Sequence, residues 1–139
     1  MKILLLLLIS FQLSAQPFTG FKYTTQGIGG EIGCLSSEGV QLSASYQIPV
    51  ISAVKPTIAT ISVGKVVELG NGFNITAITG AAFLKKTSFD AKDVRTDTRA
   101  VKPHESIELG WHQHAGTVYI SANYSGMFYF GVGLKLYFL

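Results

Sequence analysis

The chain has 139 residues, of which 47% are hydrophobic and only 14% charged, with a formal net charge of +3. That length bounds it to one domain, and the weak charge, with no basic stripe interleaved with aromatics, excludes a nucleic-acid binder. A single cysteine, Cys34, excludes an internal disulfide.

The N-terminus reads as an export signal. Lys2 supplies the positive start, Ile3 to Ile9 an unbroken apolar run, and Leu13-Ser14-Ala15 a small-residue approach to cleavage before Gln16 or Pro17. The run is far shorter than the roughly 20 residues a spanning helix needs. Residues 1–16 are therefore expected to be removed and 17–139 to form the mature domain, whose formal charge falls to +2 with the loss of Lys2. No second long apolar run follows, so membrane residence would have to be through strands, since only helices and closed barrels satisfy every backbone group in lipid.

The first strand, Phe18 to Thr24, is weakly patterned. Ile28 to Leu35 comes next, then the clean alternation of Val40 to Ile48, with Val40, Leu42, Ala44, Tyr46 and Ile48 on one face and Gln41, Ser43, Ser45 and Gln47 on the other. Ala59 to Leu69 places Ile61, Val63, Val67 and Leu69 together, interrupted by Lys65, which needs a bulge or an interfacial depth where its ammonium can snorkel. Glu68 to Gly72 is a turn. Phe73 to Leu84 faces outward through Phe73, Ile75, Ala77, Ala81 and Phe83, although Ile78 and Leu84 make its other face apolar in places. Glu105 to Trp111 and Thr117 to Tyr124 follow. The last segment, Met127 to Leu139, alternates Phe128, Phe130, Val132, Leu134, Leu136 and Phe138 against Tyr129, Gly131, Gly133, Lys135 and Tyr137.

The count is eight. With both termini at the inner side of the membrane the strand number must be even, which puts Lys85 to Lys102 between strands five and six, on the outer side where long loops belong. The expected fold is all-β, an eight-stranded antiparallel up-and-down transmembrane barrel. Leu134 would face lipid and resist replacement by Arg. Gly133 would face the lumen, where Ser should be far less damaging than Arg at Leu134.

Two sets of residues stand out. Glu31, Glu108, Lys135, Tyr119 and Tyr129, with Asn123, Gln41 and Gln47, should point into a lumen that eight strands leave just wide enough to be filled by side chains, forming a polar plug whose charges are paired. Lys85, Lys86, Lys92, Arg95, Arg99 and Lys102, against Asp90, Asp93 and Asp97, make a charged surface loop suited to anionic lipopolysaccharide or a surface partner. His112 and His114 share a face of an extended segment, but no Asp, Glu or Cys adjoins them to complete a metal site. No cofactor, metal or catalytic residue is expected.

The Ser-Ala-Gln signal end and the closing Phe-Gly-Val-Gly-Leu-Lys-Leu-Tyr-Phe resemble the small eight-stranded outer-membrane β-barrels, especially short ones of Bacteroidota-like bacteria. Leu139 in place of a terminal Phe departs from their usual assembly signal. The resemblance implies export by the Sec pathway, handling by the barrel-assembly machinery, outer-membrane residence among lipid and lipopolysaccharide, and a monomer. His104-Glu105-Ser106 is similar to the His-x-Ser arrangement of a small outer-membrane lipid A deacylase. Here, however, Ile107 replaces the asparagine of that motif, no glutamate follows Glu108, and Ser106 falls on the inward face. A non-enzymatic wall component or surface-contact protein is the favoured reading. A secreted lipocalin-like barrel and a lipid-modifying enzyme are the alternatives, and the first would carry its apolar residues inside.

Overall fold

The computed structural model describes residues 15–50, 55–89 and 95–138. Its eight strands are β1 (Ala15–Thr24), β2 (Ile28–Ser36), β3 (Val40–Ile48), β4 (Thr57–Gly70), β5 (Phe73–Phe89), β6 (Arg95–Gln113), β7 (Gly116–Tyr124) and β8 (Phe128–Tyr137). Each pairs antiparallel with its sequence neighbours, and β1 closes on β8 from Phe18 opposite Tyr137 to Thr24 opposite Gly131. The amide of Phe138 extends the seam by donating to Pro17 O at 2.9 Å. Closure leaves no edge strand within the barrel wall.

The period-2 patterns become two faces. On β3, Gln41, Ser43, Ser45 and Gln47 are buried while Leu42, Tyr46 and Ile48 are exposed, and the other strands follow the same alternation, with Phe18, Ile58 and Ile78 as apolar exceptions on the inner face. β5 settles as its aromatic positions require, with Phe73, Ile75 and Phe83 outward and Thr76, Ile78 and Ala82 inward. Its inward apolar residues have a purpose: Ile58, Ala82 and Tyr129, with Leu84 and Met127, form a small apolar cluster near the end of the lumen away from the termini. Lys65 lies on the outer face opposite Val40, without a bulge at that rung, and its ammonium reaches Glu38 O in the β2–β3 turn.

The connections at the two ends differ. At the end that holds the termini, β4 and β5 are joined through Asn71 and Gly72, both at positive φ (54° and 81°), the geometry of a tight hairpin turn. His114 also takes positive φ (51°), in the turn between β6 and β7. The opposite end carries the chain between β3 and β4 and the long β5–β6 excursion.

Several strand boundaries shift by one to three residues from the sequence reading, and two departures matter for the site. β1 already takes in Ala15 and Gln16, which pair with Ser36 and Leu35 because β2 runs on to Ser36; the rest of the expected signal segment, residues 1–14, lies outside the described residues, as does Leu139. More important, Lys85, Lys86, Arg95 and Arg99 do not lie in a loop. β5 and β6 stay paired rung by rung to Phe89 opposite Arg95, so these side chains stand on a two-stranded hairpin that projects past its neighbours. The reason is physical: beyond the barrel both faces of the ribbon meet water, so the alternation that marks a strand vanishes while the backbone ladder continues. Lys92 lies outside the described residues.

Candidate functional site

The interior is built by inward residues of all eight strands. Glu31, Glu108, Lys135, Tyr119 and Tyr129 are all buried, and Lys22 of β1 is buried with them. Lys135 forms an ion pair with Glu108, donates to Gln41 Oε1 at 3.1 Å, and places its ammonium 4.7 Å from the centroid of the Tyr119 ring and 5.5 Å from that of Phe18. Tyr119 Oη donates towards Glu31 Oε2 at 3.5 Å, a weak contact. Lys22 donates to Ser45 Oγ at 3.0 Å, and Ser45 in turn bonds Thr60 at 2.7 Å. Two ammonium groups and two carboxylates thus share one interior and cancel in formal charge, the condition under which such groups can be buried.

Tyr129 belongs to a different group. Its hydroxyl lies 3.2 Å from Ser125 Oγ, which is 2.8 Å from His104 Nδ1, near the apolar cluster. The five residues picked out from sequence therefore divide between a charged layer and a separate tyrosine–serine–histidine chain. The sequence reading leaves out Lys22 and Ser125 as lumen members, whereas His104 follows from the parity that turns Ser106 inward. The parity that buries Phe18 and Thr24 also buries Lys22, which was a usable signal; Ser125 sits in a turn and gave none.

The same bonds dispose of the histidine motifs. His104 and Ser106 share the inner face of β6, but His104 bonds Ser125 and Ser106 donates to Asn123 Oδ1 at 2.8 Å, so the two residues of the His-x-Ser motif do not pair with each other. His112 stands at the other end of β6, 2.9 Å from Thr117 Oγ1, while His114 is in the turn. A cavity of about 330 Å³ opens near that terminal end, lined by Glu108, Tyr119 and Lys135 and, nearer the rim, by Glu68, His112 and Tyr137. Gly133 lies opposite Tyr119, and a Cβ there would run into the phenol ring.

The second site is the hairpin. Residues directly opposite share a face, so Lys85 and Arg99 stand side by side on the outer face, followed by Thr87 with Asp97 and then Phe89 with Arg95. Asp97 accepts from Arg95 Nε and Nη2 at 3.2 Å each and from Thr87 Oγ1 at 2.8 Å, and lies 3.3 Å from Lys85 Nζ. Arg95 above all, then Thr87 and Lys85, hold its carboxyl down at about 2. Arg99 has no carboxylate partner among the described residues. Lys86 and Lys102 occupy the opposite face, towards the barrel mouth, with the Lys102 stem close over Gly126.

Neither a protein-family model nor a curated protein sequence matches the chain. Solved structures do. The chain is similar to a de novo designed transmembrane β-barrel (TM-score 0.59, 9% identity, 90% of this chain and 96% of that one covered). It is similar to Ail, the attachment invasion locus protein of Yersinia pestis, in complex with the heparin analogue sucrose octasulfate (0.59, 10% identity, 89% and 97%). It is also similar to Neisserial surface protein A (0.57, 8% identity, 89% and 96%). At such identities the likeness is one of fold: a closed eight-stranded antiparallel barrel of the outer-membrane type.

Proposed function

We propose that the chain is a non-enzymatic outer-membrane β-barrel that acts as an envelope wall and surface-contact protein, with the basic β5–β6 hairpin as its contact element. The carrying observation is the inversion of polarity: a filled polar interior inside an apolar outer wall. A soluble ligand-binding barrel has the reverse arrangement, and an exposed apolar surface of this extent is not tolerated by soluble monomers.

The dimensions fit a bilayer. On β5 the outward face is apolar from Phe73 to Phe83 apart from Thr79. At about 3.3 Å per residue and a tilt of about 40°, that run rises about 25 Å, the height of the apolar band of such barrels. Aromatic side chains mark both ends of the band: Phe73 stacks with Trp111 at 6.3 Å at the terminal end, and Tyr124 packs at a tilt against Phe128 at 4.9 Å at the other. Beyond the terminal cavity the charged layer and the apolar cluster occupy the lumen, which argues for a wall rather than a pore. In this reading the end opposite the termini faces outward, as the short turns at the terminal end require. The hairpin then meets anionic lipopolysaccharide or a surface partner, and the polyanion held by the similar Ail barrel is consistent with that role.

The test is labelling of intact cells. Thr96→Cys in a Cys34→Ala background should react with a membrane-impermeant maleimide before the envelope is broken, and the protein should fractionate with the outer membrane. Labelling only after disruption would reverse the orientation, and recovery in the soluble fraction would end the proposal.

A further inference from the structure

The wall just below the hairpin carries a shaped depression of about 450 Å³. Its floor is one continuous row of paired residues: Tyr46 on β3 lies opposite Ala59 on β4, Ala59 opposite Phe83 on β5, and Phe83 opposite Val101 on β6. Ala59, between Tyr46 and Phe83, is the small side chain that makes the row concave. The next outward-facing row, one step farther from the terminal end, is Thr57 opposite Lys85 opposite Arg99, and all three line the same depression. An apolar trough thus ends in a hydroxyl, an ammonium and a guanidinium set side by side.

Lys85 beside Arg99 is an unfavourable pairing on its own, since like charges directly opposite repel. Asp97 lies one rung beyond and engages Lys85, yet shares its carboxylate with Arg95, so the hairpin's outer face keeps a cationic excess of Lys85, Arg95 and Arg99 over Asp97. The row sits at the top of the apolar band, where a lipid headgroup would stand. Acyl chains match the trough. A phosphate accepts a bidentate bond from Arg and a point charge from Lys.

We infer that the trough and the Thr57–Lys85–Arg99 row form a binding site for a phosphorylated lipid of the surrounding leaflet, with an acyl chain over Ala59 and the phosphate between Lys85 and Arg99. This rests on the reading of the chain as a membrane-embedded barrel and goes beyond it in assigning a specific lipid class to one place on the wall. The cations towards the mouth, Lys86 and Lys102, take no part.

The experiment is native mass spectrometry of the refolded barrel released from nanodiscs of phosphatidylcholine doped with phosphatidic acid. Heat-modifiable migration of every variant confirms folding first. The unaltered barrel should retain phosphatidic acid in preference to phosphatidylcholine. Lys85→Gln with Arg99→Gln should lower that preference by about tenfold or more, two charge-assisted contacts being lost, and Ala59→Phe should lower it by filling the trough with both cations in place. Lys86→Gln with Lys102→Gln removes the same charge and should leave the preference unchanged. Equal losses in the two double variants would reduce the effect to diffuse surface charge and overturn the site. So would displacement of the lipid by millimolar inorganic phosphate, or a folded barrel with no preference. A chain that does not insert would overturn the barrel reading and the site together.

Discussion

Tyr119 of β7 lies across Gly133 of β8, its ring occupying the space a side chain at residue 133 would need. Being inward-facing therefore does not make Gly133 permissive, and the gap expected between Leu134→Arg and Gly133→Ser is narrower than the two faces alone imply. Overpacking of this kind costs about 1 to 3 kcal/mol. Gly133→Ser should lower the urea midpoint of the barrel refolded in lipid vesicles, and Tyr119→Leu should recover part of the loss by vacating the space. Additive losses in the double variant would show that the two residues do not compete.

A cation on the outer wall should be at least as damaging. Ile120 is at the middle of β7 and faces outward, where Arg costs about 2 to 4 kcal/mol near the bilayer midplane. Ile120→Arg should refold poorly into vesicles, whereas Ser43→Ala on the inner face of β3 should refold like the parent. Similar yields for both would mean the faces are inverted.

The Lys135–Glu108 pair is buried on both sides. Removing one partner strands the other, a loss of about 3 to 5 kcal/mol, while replacing both by apolar residues is often nearly neutral. Glu108→Met and Lys135→Met should each destabilise the barrel strongly, and the double variant should be more stable than either. A double variant as unstable as the sum of the singles would show that the pair is not coupled.

Much of this was readable from the chain alone. Val40–Ile48 declared both its bounds and its faces because an apolar wall and a polar lumen impose strict alternation on it. Lys85 to Phe89 and Arg95 to Lys102 did not, because a ribbon wetted on both faces has no alternation to read. The charged layer was legible in part: Glu108 and Lys135 follow from parity, but that they meet each other depends on shear around the closed barrel, which no single strand reveals. The same holds for His104 and Ser125, which come together from β6 and the β7–β8 turn.

The hairpin has its own pH signature. Asp97 is held down at about 2 by Arg95 first, then Thr87 and Lys85, against about 3.9 for an aspartate in an unfolded chain. A depressed carboxyl contributes order that is complete above the unfolded value and is lost as pH falls through the folded one. The outer-face contacts should hold at pH 5 and dissolve between about pH 4 and 2, followed by the chemical shift of Asp97. Asp97→Asn should abolish the transition, and a transition centred near pH 5 or 6 would contradict the assignment.

The central claim is that this is a membrane wall rather than a soluble barrel, and the most direct measurement is folding of the mature chain with and without an apolar phase. In detergent micelles or lipid vesicles it should acquire heat-modifiable migration and a β-rich spectrum, and in detergent-free buffer it should aggregate or stay unfolded. A monodisperse, fully folded protein in plain buffer would contradict the account.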